Sequence, residues 1–464
     1  MNRLLRTKPI NTIDETPTDG HSLKRCLKAS DLILLGIGAI IGAGVFVLTG
    51  VAAATQAGPA VSLSFVVAGI VCAFSALCYA ELAASVGGAG SAYGYAYAGL
   101  GEFIAWFIGW NLILEYALST ATVAVGWSGY VANALQAMNI HMSPALLAGP
   151  FSGGVVNLPA MLIVGALTIL LCIGTQQSAK FNSAIVFIKL LAIAVFIGVA
   201  LMHVQTTLWV PYMPFGLKGV MAGAAFIFFS YIGFDAVSTA AEESINPQRD
   251  LPIGIIVSLI ICTLIYVAVA ALLTGIVSYT TLNVESPVSQ ALLALKLNFA
   301  AAFVAAGAIA GLTTTMLVMF YGLTRVFYAI SKDGLLPKVF SRVNPKTHTP
   351  ITVILASGLL IMLAAGLTPI DILAEIVNIG TLAAFLAVCL GVIILRVRQP
   401  KLERPFKVPF YPATPLLGGL FCFYLMAHLH QDTWIRFAVW TALGIAIYFL
   451  YSINHSRLAV SNKK

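Results

Sequence analysis

The sequence has very little charge for its length. Asp, Glu, Lys and Arg make up only 9% of the 464 residues, whereas 60% are hydrophobic. A soluble domain needs far more charge than this to cover its surface. Apolar runs of eighteen or more residues recur from residue 31 to residue 453, which predicts an all-α integral membrane protein. None of the polar stretches between them is long enough to bury a core of its own, so a soluble enzyme is excluded.

Motifs of enzymes and metal sites are also missing. The seven histidines form no His-Glu-x-x-His, there is no Gly-x-Ser-x-Gly, and the seven cysteines lack metal-ligand spacing. His428 and His430 are close enough in sequence to hold a metal at the surface, but a solvated pair in a loop is the better explanation. We therefore expect no enzymatic activity, no metal and no cofactor. Residues 1–30 have no apolar stretch of the length of a signal peptide, so we expect insertion to begin with the first span.

The apolar segments predict twelve membrane spans, with both termini on the same side. The predicted spans are 31–54, 59–84, 101–126, 159–175, 182–203, 218–241, 252–279, 299–325, 351–367, 370–395, 413–431 and 434–453. Residues 1–30 precede the first span, and residues 454–464 form a polar tail. The uncharged segment from Trp127 to Leu158 is expected to be the longest loop on the opposite side and to fold back against the bundle.

The basic residues predict the orientation. All but four of the 25 Lys and Arg residues fall in loops on the side of the termini; the exceptions are Lys218, Lys296 and Arg436 on the opposite side, and Lys189 within a span. Because Lys and Arg concentrate in cytoplasmic loops, both termini are predicted to be cytoplasmic. The net charge of +8 is thus a topology signal, and no nucleic-acid partner is needed to explain it.

The first span contains four glycines within nine residues, from Gly36 to Gly44. Each costs about 1 kcal/mol relative to alanine inside a helix. Two interpretations are open: close packing of small residues against another helix, or an unwound stretch whose backbone groups line a cavity. The sixth span decides between them, because Gly233 and Asp235 lie in the middle of its apolar run.

Interrupted spans at corresponding places in two halves indicate an inverted-repeat transporter with its substrate at the midplane. A half-helix N-terminus suits a carboxylate, whereas unwound carbonyls with Asp235 nearby suit an ammonium group. Such a site matches an amino acid.

Several longer runs resemble one known family. They are Gly36–Gly44, Gly87–Tyr95, Gly233–Glu243, Asn246–Pro252 and Arg325–Pro337. Together they resemble the amino acid–polyamine–organocation superfamily, and Ile-Gly-Phe-Asp with Asn-Pro-Gln-Arg-Asp-Leu-Pro points to its cationic amino acid transporter subfamily in the bacterial form. The resemblance covers spans 1 to 10 and implies a 5+5 leucine-transporter-like core, with residues 31–203 as the first repeat and 218–395 as the second. Spans 11 and 12 (413–453) carry nothing diagnostic.

The resemblance also implies the substrate site. The helix breaks would lie at Gly42, Gly44 and Gly233. The residues expected to contact substrate are Ile40, Ala43, Gly44, Phe229, Ser230, Ile232, Asp235 and Met319. Mammalian cationic transporters have a small residue at the position aligned with Met319, so a methionine should shorten the pocket. This favours small or medium neutral amino acids, with arginine and lysine as the alternative. Ala43 replaces a hydroxyl residue found in some relatives, which leaves a side-chain contribution to carboxylate binding in doubt.

Lys189 and Glu115 are ionisable groups within spans and are therefore functional candidates. A lysine on the fifth helix of proton-coupled relatives occupies the place of the metal ion in sodium-coupled ones, and an ammonium there can donate to the carbonyls of span 1. We expect Lys189 to load and release the proton, and Glu115 either to assist it or to have a purely structural role. The simpler interpretation is a lysine that snorkels to the headgroups, but Lys180 already marks that boundary.

The resulting prediction is a monomeric, proton-coupled symporter that imports amino acids by alternating access in the lipid bilayer. An exchanger without proton coupling and a non-transporting amino acid sensor are the alternatives. Sensors usually carry an output domain, which this chain lacks. Glu81 is expected at a membrane boundary. Glu242, Glu243, Arg249 and Asp250 are expected either to form ion pairs that break during transport or to be a solvated loop.

Overall fold

The computed structural model describes residues 4, 6–8, 27–86, 91–138, 140, 142–173, 178–241, 244–344, 347 and 349–461. Within these residues the chain is helical and contains no β-strand, apart from an isolated bridge between Leu27 and Ser244. Seven of the described helices are long and apolar enough to cross a membrane, and five shorter apolar helices accompany them. The prediction of an all-α membrane protein is confirmed.

The helices follow one another in the order of the twelve predicted spans. Nine spans are single helices: span 2 is Val61–Val86, span 3 Glu102–Ala137, span 4 Leu158–Ile173, span 5 Ser178–Leu201, span 7 Pro247–Ile276, span 8 Asn298–Lys332, span 9 Ile351–Leu367, span 10 Ile370–Arg398 and span 11 Ala413–Ala427. Two spans near the candidate site consist of several pieces: span 1 of Ala29–Ile40, Gly44–Leu48, Thr49–Ala52 and Ala53–Ala57, and span 6 of Gly216–Ile227, Phe228–Tyr231 and Ala236–Thr239. Span 12 is Gln431–Ile447, continued by Tyr448–Ser452 and Ile453–His455.

Shorter helices lie between the spans or after them. They are Gly58–Ala60, Ser91–Gly99, Pro144–Leu146, Pro150–Ser152, Thr206–Trp209, Tyr279–Thr281, Pro287–Ala294, Lys338–Ser341 and Arg457–Ser461. We call the end of the bundle at which span 1 begins the termini side, and the other end the opposite side. The division of the ten core spans into two repeats stays a prediction.

Spans 3, 7 and 8 extend furthest beyond their predicted bounds. Span 3 continues to Ala137, so the first part of the predicted Trp127–Leu158 loop is helical; its remainder does fold back, because the Asn157 N–H donates to the Gly366 carbonyl at 2.8 Å. Span 7 already begins at Pro247, since proline suits the first helical turn, where no N–H partner is required. Span 8 runs to Lys332, seven residues past Arg325.

The glycines of span 1 serve both purposes considered for them. At Gly36 an added Cβ would lie only 2.7 Å from the Ser258 Cβ, so this glycine allows span 1 to pack closely against span 7. Gly42, by contrast, lies in the non-helical stretch between Ile40 and Gly44. Close packing therefore occurs in both parts of the glycine run, and the interruption of the helix lies in its second part.

A buried ion-pair cluster joins spans 2 and 10 on the termini side. The Glu81 side chain is 2% exposed and accepts hydrogen bonds from Arg396 Nε at 2.8 Å and from the Val408 N–H at 2.7 Å. Arg404 Nε lies 3.4 Å from the same carboxylate. Glu81 thus also anchors the segment that leads from span 10 into span 11.

Replacing this carboxylate should destabilise the protein. Glu81→Gln is expected to lower the free energy of unfolding by about 3 kcal/mol, because it leaves the two guanidinium groups without their charge partner. Glu403→Gln, an exposed glutamate in the same segment, is the control and should change stability by less than about 0.5 kcal/mol. The thermal unfolding midpoints of the purified variants in detergent measure both effects; equal midpoints would contradict a structural role for Glu81.

Candidate functional site

Span 1 is interrupted between Ile40 and Gly44. Ile41 has an extended backbone (φ −73°, ψ 100°), so carbonyl groups of the preceding turn lose their helical partners. Lys189 Nζ donates to the carbonyls of Gly38 at 2.7 Å and Ile41 at 2.8 Å. Thr315 Oγ1 lies 3.2 Å and 2.9 Å from the same two oxygens. Spans 5 and 8 therefore supply the hydrogen bonds that the broken helix lacks.

Span 6 is interrupted at the same depth. A short 3₁₀ turn, Phe228–Tyr231, leads into extended backbone at Ile232, and the helix resumes at Ala236. Gly233 has a φ of +120°, a conformation that L side chains rarely adopt. An added Cβ there would also lie 2.8 Å from the Met319 Cε and 3.0 Å from the Ala39 carbonyl carbon. Glycine is required at this position on both counts.

The two interruptions lie directly against each other. A Cβ added to Gly44 would lie 2.5 Å from the Ser230 Cα, so only glycine permits this approach of the two backbones. The Tyr266 hydroxyl of span 7 lies 2.7 Å from the Ile40 carbonyl and 2.8 Å from the Ser230 carbonyl. One tyrosine thus bridges the broken parts of spans 1 and 6.

A small cavity lies between these interruptions and spans 3 and 8. Its lining consists of buried residues from four spans, namely Ala39, Ile40, Gly42, Ala43, Gly44, Ser119, Val123, Phe229, Ile232, Thr315 and Met319. Most of the residues that the sequence analysis assigned to substrate are among them. Ser230 and Asp235 are not part of this lining: Ser230 packs behind Gly44, and Asp235 lies beyond the interruption of span 6.

The predicted proton-coupling residues lie on different sides of the cavity. Lys189 is completely buried behind span 1, and its contacts are the two carbonyls described above. Glu115 is completely buried in span 3, one helical turn from the cavity-lining Ser119 towards the termini side. In the part of the chain that the structure describes, neither oxygen of Glu115 has a hydrogen-bond partner.

Asp235 belongs to the same polar region as Glu115. The Tyr116 hydroxyl donates to Asp235 Oδ2 at 2.7 Å, whereas Oδ1 has no partner among the described residues. The two carboxyl groups are near enough to interact electrostatically. The hydroxyls of Tyr79 and Tyr95 are near enough to Asp235 to interact with it electrostatically. A cluster of buried polar groups therefore adjoins the cavity on the termini side.

Sequence reasoning did not identify Ser119, Val123, Thr315 or Tyr266. Ser119 and Val123 lie four and eight residues after Glu115, so helical spacing alone would have placed them on the same face. Thr120 and Thr122 donate to the carbonyls four residues before them, at 2.8 Å and 2.7 Å. The Ser119 hydroxyl makes no such bond and has no partner in the described residues, although it lines the cavity.

Two other predictions fall outside the site. Glu242 and Glu243 lie outside the described residues. Arg249 and Asp250 begin span 7, and neither takes part in an ion pair within the described chain. No three His, Cys, Asp or Glu side chains of the described residues come together as metal ligands.

An all-α membrane protein with two interrupted helices around a buried cavity has the architecture of a secondary transporter. The chain belongs to the amino acid permease family, whose model matches residues 27–450. It is similar to the branched-chain amino acid permease BcaP of Bacillus subtilis, with 48% identity over 98% of this chain and 99% of the relative.

Two further relatives have other substrates in their names. The methylthioribose transporter of Bacillus subtilis is 45% identical over 99% of this chain and 100% of its own length. The vacuolar cationic amino acid transporter 4 of Arabidopsis thaliana is 40% identical over 86% of this chain and 68% of its own. The family and these relatives identify a transporter and not an enzyme.

The Tyr266 bridge should be needed for transport. Tyr266→Phe removes the one hydroxyl proton that the Ile40 and Ser230 carbonyls share, and so leaves a buried carbonyl unsatisfied, at a cost of about 1–2 kcal/mol. Tyr231→Phe is the matched control, because its hydroxyl donates to the Phe65 carbonyl at 2.7 Å without joining spans 1 and 6. We expect substrate uptake into proteoliposomes to fall in the first variant only. Equal uptake by both variants would contradict the role of the bridge.

Proposed function

We propose that this protein imports small or medium neutral amino acids by alternating access. The observation that carries the proposal is the cavity between the two interruptions, where backbone groups and apolar side chains meet. In the proposed orientation both termini are cytoplasmic, and one chain suffices for transport.

The substrate backbone would bind to the interrupted helices. Ala43 and Gly44 lie at the N-terminus of the second half of span 1, where the partial positive charge of the helix suits a carboxylate. Phe229 and Ile232 lie at the end of the first half of span 6, where carbonyl groups suit an ammonium. We expect the proteins of this family that take up other amino acids to use the same backbone groups.

The substrate side chain would lie against spans 3 and 8. Val123, Phe229, Ile232 and Met319 give this part of the cavity an apolar surface. Such a surface suits an aliphatic side chain and offers no partner for a guanidinium or an ammonium. The similarity to a branched-chain amino acid permease supports a neutral substrate. The similarity to a cationic amino acid transporter is lower, and it supports the alternative substrates arginine and lysine.

A second candidate substrate is methylthioribose. Two observations favour it: the 45% identity with a transporter of that name, and the unpaired Ser119 hydroxyl in the cavity lining, which suits a sugar hydroxyl. This sugar has neither an amino group nor a carboxylate, so the paired helix ends would serve no ionic group. We therefore place it second.

Coupling to protons would depend on Lys189. Its ammonium group donates hydrogen bonds to the carbonyls of Gly38 and Ile41, which lie at the interruption of span 1. When the amine loses its proton it keeps fewer donors and no charge, so its hold on both carbonyls weakens. Protonation would thereby favour one arrangement of span 1. Exchange without net proton coupling is the alternative.

Shortening Met319 should widen the specificity. The Met319→Ala protein is reconstituted into proteoliposomes. We expect arginine to inhibit the uptake of labelled alanine at a concentration about tenfold lower than in wild type, because the shorter side chain lengthens the cavity. Met316→Ala, a buried methionine of the same helix outside the cavity lining, is the control and should leave competition unchanged.

The same competition assay on wild type tests the substrate class. We expect valine and leucine to compete at far lower concentrations than arginine and lysine, and methylthioribose not to compete. Complete inhibition by arginine alone would overturn the neutral substrate, and inhibition by methylthioribose alone would support the second candidate.

Replacing Lys189 should abolish the accumulation of substrate driven by a proton gradient, while exchange of substrate across the membrane continues. We expect Lys189→Ala protein in liposomes to lose substrate accumulation driven by a proton gradient. Lys218→Ala, an exposed lysine on the opposite side, should accumulate substrate as wild type does. The pH gradient, membrane potential and sodium gradient are varied separately, and exchange is followed with substrate on both sides. Accumulation by Lys189→Ala at the wild-type level would rule out this role.

A further inference from the structure

A second cavity lies away from the substrate site, between spans 4, 8 and 9 near the termini side. It is lined by aliphatic, hydroxyl and guanidinium groups, from Leu171, Tyr321, Thr324, Arg325, Thr349, Pro350 and Ile354. The mechanism proposed above uses none of these residues, although Arg325 opens one of the runs that the sequence analysis singled out.

Arg325 lies well inside span 8 and has no carboxylate partner among the described residues. It precedes the end of the helix at Lys332 by seven residues, which corresponds to about 10 Å along the axis. Its Nε and Nη2 both donate to the Tyr321 hydroxyl, the former at 2.7 Å, and its guanidinium carbon lies 4.7 Å from the centre of that ring. A guanidinium has five N–H donors and a permanent charge, which a phenol does not neutralise.

The surroundings of the cavity face lipid. Next to the buried Leu171 of span 4, Leu170 is 44% and Ile173 69% exposed; next to the buried Ile354 of span 9, Leu355 is 54% exposed. Exposed aliphatic residues on apolar helices are the surface that contacts acyl chains. The charged end of the cavity therefore lies beside a lipid-facing surface, at a depth within reach of the headgroups.

We propose that this cavity binds the headgroup phosphate of an anionic phospholipid. Arg325 would hold two phosphate oxygens with its forked donors, and the aliphatic wall at Leu171 and Ile354 would receive the first carbons of the lipid. Basic cavities between spans near the membrane surface are suited to anionic lipids. The headgroup of such a lipid lacks the ammonium group that, in a zwitterionic lipid, would offset the attraction between the phosphate and the basic side chain.

Such a lipid would influence transport through span 8. Arg325 lies six residues after the cavity-lining Met319 and ten after Thr315, which contacts the interruption of span 1. A bound phosphate would connect this helix to spans 4 and 9, which pack against each other at Gly358 and Thr168. Anionic lipid is thus expected to raise the rate of uptake without changing which substrates are accepted.

The test compares lipid retention and lipid-dependent uptake in the full-length protein. Wild type, Arg325→Gln, Arg325→Lys and the control Lys332→Gln are purified, and retained phosphatidylglycerol is measured by native mass spectrometry. We expect Arg325→Gln to retain phosphatidylglycerol about tenfold less, because a charge-assisted hydrogen-bond pair is lost. Arg325→Lys should be intermediate. Lys332→Gln removes the same charge from the exposed end of the same helix and should retain lipid as wild type does.

The uptake measurements use phosphatidylcholine vesicles with and without phosphatidylglycerol. Phosphatidylglycerol should stimulate wild type and Lys332→Gln but not Arg325→Gln. Equal stimulation or equal retention in Arg325→Gln would overturn the proposal. Stimulation of wild type by inorganic phosphate in phosphatidylcholine alone would assign the cavity to a free anion and also overturn it. If Arg325→Gln does not fold, wild type must still prefer phosphatidylglycerol to phosphatidylcholine, and Arg325→Lys must weaken that preference; otherwise the proposal fails.

Discussion

The hydrogen bonds from Lys189 to the Gly38 and Ile41 carbonyls are the interaction on which the candidate site depends. A span without water around it must satisfy every backbone group, so a helix is interrupted there only where other groups replace the missing bonds. Lys189 and Thr315 do this for span 1, and Tyr266 does it where span 1 meets span 6. The cavity exists because these three side chains, from spans 5, 8 and 7, stabilise a backbone that would otherwise close into a helix.

The ionisable groups around the cavity do not neutralise one another. Lys189 contacts backbone carbonyls behind span 1, whereas Glu115 and Asp235 lie towards the termini side with hydroxyl groups as neighbours. No ion pair between the lysine and either carboxyl group occurs in the described chain. Buried charges without partners are costly, and protonation relieves that cost at a carboxylate but creates it at an amine. A conformation responds to protons when such a group binds its proton more tightly in one arrangement than in another, as proposed for Lys189.

The sequence was sufficient for the fold class and for the places where helices are interrupted, but not for the orientation of side chains. Long apolar runs predict spans, and Gly36–Gly44 and Gly233 stand out because glycine is unfavourable inside a helix. The ends of spans 3, 7 and 8 were less predictable, since uncharged segments such as 127–137 continue a helix without a change in composition. Ser119 and Tyr266 escaped notice because the lipid-facing and inward faces of these spans are both apolar, so composition does not show which face lines a cavity. The position of Asp235 depends on the rotation of the four-residue helix Ala236–Thr239 after the interruption, which only tertiary packing determines.

The architecture of the cavity explains how relatives of similar identity are named for different substrates. A branched-chain amino acid permease and a methylthioribose transporter are 48% and 45% identical to this chain over nearly its whole length. Much of the cavity wall is backbone from the two interruptions, and that wall requires glycine at Gly44 and Gly233 for steric reasons that do not depend on the substrate. In the proposed substrate site, only a few side chains of spans 3 and 8, among them Ser119, Val123 and Met319, would distinguish one substrate from another. A change of specificity within such a site needs few substitutions, so overall identity is a weak guide to the substrate and the local chemistry of these side chains is the stronger one.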